Sequence, residues 1–324
     1  MKAVLCRTLG PASGLTLETL DEPAPGPGEV KVRVKAFALN FFDTLIIEGR
    51  YQIRPELPFS PGAEFSGIVE TIGEDVERFR PGDKVIGYIR FGAAREAVIA
   101  VEDDLVPMPD DISFEAAAGL SVTYGTTLHA FRDRAGLQEG ETVAVLGASG
   151  GVGQAAVEIA TIMGARVIAC ASSQDKLAFA RSLGAVETIN YETEPLKDRL
   201  KALTSGMGVD VVYDPVGGDL AEQALRATAW EGRYLVVGFA AGQIPKIPLN
   251  LVMLKGCDIR GVFWGEAIIR DPEGHWANMA QILDWVRQGK LKPHVHAVYP
   301  MERTAEAIQE IADRKVRGKI IVKP

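Results

Sequence analysis

Residues 141–164 read ETVAVLGASGGVGQAAVEIATIMG. The run ETVAVLGA is apolar and β-branched enough for a strand buried on both faces, and QAAVEIATIMG is helical and closes on the Gly expected after a helix end. Between them Ala148-Ser149-Gly150-Gly151-Val152-Gly153 matches the dinucleotide fingerprint in the strand–turn–helix setting it needs. Gly150 lets the backbone approach a pyrophosphate, Gly153 lets the helix pack closely on the strand, and the helix N-terminus offers free N–H groups to the anion. Ala148 stands where the fingerprint has its first Gly. A Gly-rich turn that merely packs a helix is the alternative.

The pattern continues outward. ARVIACA, a short run around Val186 to Asn190, VDVVYDPV, RYLVVGF and DIRGVFW alternate with helical stretches such as DKLAFARSLG and AEQALRATAW. That alternation predicts a doubly wound, parallel six-stranded sheet with helices on both faces over residues 121–265. Residues 1–120 are different: KAVLCR, LTLETL, EVKVRVKAFAL, FSGIVETIG, KVIGYI and REAVIAV are short β-patterned runs, punctuated by Pro and Gly. They read as a compact β-barrel. Residues 266–324 return to a mixed pattern (helix NMAQILDWVRQG, strand HVHAVYP, helix ERTAEAIQEIADR, strand GKIIVKP), which sends the chain back to finish the first domain. The fold class is therefore α/β, a β-barrel domain plus a Rossmann domain.

A length of 324 residues fits about two domains. The 35 Lys and Arg against 43 Asp and Glu leave a net charge of −8, which disfavours nucleic acid as a partner. Cys6, Cys170 and Cys257 are far apart, so neither a disulfide framework nor a zinc lobe is indicated. The N-terminus lacks a signal-peptide core and no apolar run approaches membrane-spanning length. A cytoplasmic protein with no membrane partner is expected.

An NAD site places Asp or Glu at the end of the second strand, about 20 residues on, to hold the ribose 2′-OH. Here that strand ends in Ala171-Ser172-Ser173, and Asp175 belongs to the next helix's first turn. Lys176 follows, suited to a 2′-phosphate or to solvent, and no carboxylate repels that phosphate. NADPH is the expected cofactor.

The ordered set PAPGPGEV, LNFFDT, PGAEFSGIVETIG, PGDKVIG, VTYGTT, GASGGVG and VVYDPVGG resembles the medium-chain dehydrogenase/reductase superfamily across essentially the whole chain. Within it the chain is similar to zinc-free NADPH:quinone oxidoreductases related to zeta-crystallin. The resemblance implies a GroES-like catalytic domain and an active-site cleft between the two domains. Zinc-containing members carry a His before Glu64, a Cys three residues before Asp43 and a ligand at the place of Val122. This chain has Ala63, Asn40 and Val122 there, which bind zinc poorly or not at all. No metal is expected. His294 and His296 alternate on a strand without a partner Cys or carboxylate nearby in sequence, His129 follows VTYGTT on a helix, and His275 sits in a polar DPEGHW turn.

Without a metal to polarise a carbonyl, the acceptor has to be electron-poor already, as quinones and conjugated carbonyls are, or be held by protein donors. The resemblance implies that Asn40 and Tyr51 face the acceptor as the catalytic pair, with a turn or strand-end role as the alternative for each. Phe41, Phe42, Phe263 and Trp264 would line an apolar slot, or serve as core. Thr126 would lie near the nicotinamide; Ser149, Gly150, Gly151, Val152 and Gly153 would cradle the pyrophosphate. Lys176, Tyr191 and, at a looser match, Arg314 would surround the 2′-phosphate, and Ser172 would be a further cofactor contact. Gly238 and Phe239 are expected at the end of the fifth Rossmann strand, where the ligand crevice lies. Residues 257–264 are expected to form the sheet's edge strand, pairing with a second copy in a homodimer. The expected reaction is hydride transfer to a quinone. Reduction of an enoyl thioester or 2-alkenal, and a non-catalytic NADPH sensor or structural protein, are the alternatives.

Overall fold

A computed structural model describes residues 1–324, which form two compact units, Met1–Val122 with Pro272–Pro324 and Thr123–Asp271. In the first unit β1 (Lys2–Leu5) and β2 (Thr16–Thr19) make a separate antiparallel pair. The long β3 (Glu29–Leu39) is the spine of the main sheet. One edge of β3 pairs along its length with β4 (Glu64–Ile72), which continues to β5 (Lys84–Tyr88). The other edge of β3 first takes β6 (Ala97–Val101), while β7 (Leu105–Pro107) closes onto β5. Alternation in EVKVRVKAFAL turns Val30, Val32 and Val34 inward, where all three are buried with Phe37, Phe65, Phe79 and Val85.

The second unit holds β8 (Thr142–Leu146), β9 (Arg166–Ala171), β10 (Glu187–Asn190), β11 (Val209–Asp214), β12 (Thr228–Val236) and β13 (Asp258–Gly261). They form one parallel sheet in the order β10-β9-β8-β11-β12-β13. Every side chain from Val143 to Leu146 is fully buried, as a central parallel strand covered on both faces requires. The chain leaves β8 towards β9 and β10 on one side, then returns to β11 on the other. That reversal opens a crevice at the C-terminal ends of β8 and β11.

The chain finishes the first unit with β14 (Val295–Pro300), the helix Thr304–Ala312 and β15 (Lys319–Lys323), a parallel pair. Residues Ile320, Ile321 and Val322 pair with Leu39, Ala38 and Phe37 on the part of β3 that β6 leaves free.

Three expectations need correction. DPEGHW is the first turn of a helix, Pro272–Arg287, and His275 is buried on it. Proline's fixed φ suits the first helical position, so the Pro that reads as a turn here starts the helix. The edge strand is only Asp258–Gly261; Trp264 opens the helix Trp264–Arg270. Gly238 and Phe239 lie beyond β12, which stops at Val236; the N–H of Gly238 still reaches the Asp214 carbonyl at 3.3 Å, outside the ladder.

Candidate active site

In the Rossmann unit the turn after β8 is built by Gly147, at φ +59°, a conformation that only Gly adopts without strain. A Cβ on Gly147 would also stand 2.9 Å from Val216 Cγ2, in the loop after β11. Gly147 thus supplies the tight turn that the fingerprint assigns to the residue occupied by Ala148, and the departure there is repaired one position earlier. Gly150 is the N-cap of the helix Gly151–Ile162, and its N–H closes the turn on the Gly147 carbonyl at 3.0 Å. A Cβ on Gly153 would lie 2.1 Å from that same carbonyl, so only Gly lets the helix approach this closely. The helix's own ladder begins at Gln154, whose N–H reaches Gly150 O, so the N–H groups of Gly151, Val152 and Gly153 are left for an anion. A pyrophosphate fits this cradle.

The loop on the far side of the crevice is equally fixed. Asp214 Oδ1 accepts the N–H groups of Val216 and Gly217 at 2.7 and 2.8 Å, and Oδ2 accepts the hydroxyl of Tyr234. Burial raises the pKa of Asp214 even though these donors oppose the shift. Phe239 packs over this loop, with its ring 2.9 Å from where a Gly217 Cβ would be. Thr126 is buried; its neighbour Thr127 bonds the Thr123 carbonyl and the Tyr213 hydroxyl. Trp264 is buried against Gly125, whereas Phe263 is exposed.

Ser172, Lys176 and Tyr191 converge at the C-terminal ends of β9 and β10. Lys176 Nζ donates to Ser172 Oγ at 3.2 Å, and the N–H of Tyr191 bonds Ala171 O. Ser173 caps the helix Gln174–Ser182, and Asp175 occupies its first turn. No acid ends β9, whose last residues are Ala169, Cys170 and Ala171. Arg314 belongs to the other unit, at a left-handed position (φ +58°) after the helix Thr304–Ala312.

In that other unit Asn40 and Asp43 open the helix Phe41–Ile47. Asp43 is fully buried; its Oδ2 accepts the Asn40 N–H at 2.7 Å and its Oδ1 the Gly62 N–H at 2.9 Å. Burial raises its pKa to about 6, against the pull of these bonds and of Lys319. Asn40 is not merely a strand-end residue: its Nδ2 donates to Glu64 Oε1 at 2.9 Å, and its Oδ1 accepts from Lys319 Nζ at 2.6 Å. Tyr51 stacks on Phe42 with centroids 5.5 Å apart, and its hydroxyl has no partner within the chain. Burial, with the nearby Asp43, raises the phenol's pKa, so it holds its proton at neutral pH.

Residues 26–110 match the family described as alcohol dehydrogenase GroES-like domain, and residues 151–286 the family described as zinc-binding dehydrogenase. The chain is 41% identical to quinone oxidoreductase-like protein 2 of Rattus norvegicus over 94% of its own length and 88% of the rat protein. It is 35% identical to a quinone oxidoreductase of Pseudomonas aeruginosa, over 94% of each chain. A crystal structure of Escherichia coli quinone oxidoreductase complexed with NADPH superposes with a TM-score of 0.94 at 28% identity, over all of both chains. The chain belongs to the medium-chain dehydrogenase/reductase superfamily, and these relatives are named quinone oxidoreductase or quinone oxidoreductase-like.

Within this superfamily the first unit is the GroES-like domain and the second the Rossmann domain. The positions of the zinc ligands are here drawn into a different network. Asn40 and the N–H of Val122 both bond Glu64, and Ala63 is buried without a polar group to offer. Of the four imidazoles, His129 pairs with Asp133, His296 pairs with Glu310, His275 is buried, which lowers it to about 4, and His294 is exposed. Lys319 was not legible as a site residue, because GKIIVKP reads only as a terminal strand. The available signal was its place directly before three apolar residues at a strand start.

Proposed function

We propose that this oxidoreductase uses NADPH to reduce quinones, without a catalytic metal. The observation that carries the cofactor is the Gly147–Gly153 turn with three unengaged N–H groups, together with Lys176 and Tyr191 at a strand end that has no acid. When bound there, the reduced nicotinamide supplies the hydride. The N–H groups of Gly151, Val152 and Gly153 hold the pyrophosphate, and Lys176, Ser172 and Tyr191 hold the 2′-phosphate. Asn40 Nδ2 and the Tyr51 hydroxyl donate hydrogen bonds to the acceptor oxygen as negative charge grows on it. The Phe42–Tyr51 stack gives a flat acceptor an apolar face. The absence of a zinc-ligand set at Asn40, Ala63 and Val122 supports the metal-free reading, since amide, methyl and isopropyl side chains are poor zinc ligands. A homodimer paired along β13 completes the proposal. That strand is the sheet's edge, and Ile259 on it is exposed, as are Leu249 and Met253 earlier in the same unit.

Chelator-dialysed protein, checked for zinc by elemental analysis, is expected to keep its NADPH:quinone turnover. Activity lost with the metal and restored by stoichiometric zinc would refute the metal-free proposal. Fluorescence titration is expected to give a lower Kd for NADPH than for NADH. Equal or tighter NADH binding would refute the cofactor assignment.

A further inference from the structure

The GroES-like unit buries an ion pair between the first residues of two strands, Lys319 of β15 and Glu64 of β4, at 2.7 Å. Neither side chain reaches solvent appreciably, with 5% and 0% of their side-chain surfaces exposed. The ammonium has three hydrogens and uses all of them: on Glu64 Oε1, on the Leu39 carbonyl at 3.0 Å and on Asn40 Oδ1 at 2.6 Å. Glu64 in turn accepts Asn40 Nδ2 on Oε1 and the Val122 N–H on Oε2. A pair this costly to bury is weak support for stability, because well-packed apolar residues often do as well or better. Its geometry has a more specific consequence.

An ammonium can only donate and an ionised carboxylate can only accept. The Asn40 amide lies between one of each, so a single orientation satisfies both neighbours. Turned over, it would set its NH2 against Lys319 and its carbonyl against Glu64, two like-with-like contacts shut away from water. One Nδ2 hydrogen is spent on Glu64, and the direction of the other is fixed with it.

We infer that Lys319 is a positioning residue: with Glu64 it locks the Asn40 amide so that only a hydrogen-bond donor faces the acceptor. This deepens the proposed function and rests on Asn40 facing the substrate. The locked amide favours an acceptor oxygen that gains negative charge and disfavours a group that can only donate. Lys319 itself does not polarise the substrate, because it has no hydrogen left to give.

The test is the paired variant Lys319→Met/Glu64→Gln, which removes both charges together and leaves no lone buried ion. The Asn40 side-chain amide is followed by 15N–1H NMR, assigned by its loss in Asn40→Ala, alongside kcat for a benzoquinone and the Kd for NADPH. The Nδ2 hydrogen on Glu64 is expected to be downfield and slow to exchange in the wild type and to lose both properties in the variant. With it, kcat should fall about tenfold or more, while the Kd for NADPH, which is held by the other unit, stays within about twofold. Unchanged amide signals, or lost signals with unchanged kcat, would overturn the inference. Should the paired variant not fold, Lys319→Arg, which keeps a donor-only cation, is read the same way: retained signals with kcat within about threefold support it, and lost signals with unchanged kcat overturn it. A wild type that shows the locked amide yet reduces no acceptor would sink the proposed function and leave the positioning role of Lys319 standing.

Discussion

Asp43 shows how a single buried carboxyl ties the stability of the GroES-like unit to pH. Its folded-state pKa of about 6 lies above the ordinary 3.8, so the native protein keeps this proton over a range where the unfolded chain has lost it. The group therefore lowers stability as pH rises from about 4 to about 6, by roughly 3 kcal/mol in all at 1.4 kcal/mol per unit. His275 acts in the opposite sense. Burial lowers it from 6.5 to about 4, so the stability it leaves intact above 6.5 is lost as pH falls towards 4. Urea unfolding at pH 4, 5, 6 and 7 is expected to show stability rising with pH more steeply in Asp43→Asn than in the wild type. Parallel profiles for the two proteins would contradict the assignment of Asp43. Tyr51 gives a second prediction at this scale. Because its hydroxyl has no internal partner, Tyr51→Phe orphans nothing and should change stability by less than about 1 kcal/mol. Quinone turnover should fall only a few-fold, because Asn40 still donates to the acceptor oxygen, whereas reduction of an enoyl thioester, which needs a proton delivered to carbon, should fall at least about tenfold. Equal losses on the two acceptors would contradict that division of roles.

At the scale of elements, the glycine turn couples packing to binding. In Gly153→Ala the new methyl meets the Gly147 carbonyl, which belongs to backbone and cannot swing aside, so the helix Gly151–Ile162 must shift. A loss of about 1–3 kcal/mol is expected, read as a lowered Tm, together with weaker NADPH binding by fluorescence. Wild-type affinity in a folded Gly153→Ala protein would contradict the placement of the pyrophosphate. This strand–turn–helix was fully legible in the sequence, because buried parallel strands are continuous apolar runs and the glycines carry their own steric meaning. Less legible were elements whose local signals conflict. Pro272 and Gly274 read as a turn, yet Pro at a helix start is neutral and the buried face of His275, Met279, Ile282 and Leu283 carries the helix through. Lys319 was invisible for a different reason. A lysine's partners come from tertiary structure, and Glu64 lies 255 residues away in sequence.

At the scale of the whole molecule, the chain starts one unit, builds a second over Thr123–Asp271 and returns to finish the first. The composition change near residue 120 and the mixed terminal pattern made that order readable, because each unit has its own periodicity. Assembly was readable only as an expectation from an edge strand. Light scattering after size exclusion is expected to give twice the chain mass for the wild type and a monomer for Ile259→Lys, since a charge on β13 opposes edge-to-edge pairing. A monomeric wild type would contradict the dimer. The central claim concerns what the purified protein reduces. Steady-state NADPH oxidation should be measured with a benzoquinone, a naphthoquinone, a crotonyl thioester and a 2-alkenal. The account predicts the highest kcat/KM on a quinone. A preference for the thioester or alkenal, or no turnover with any of the four, would contradict it.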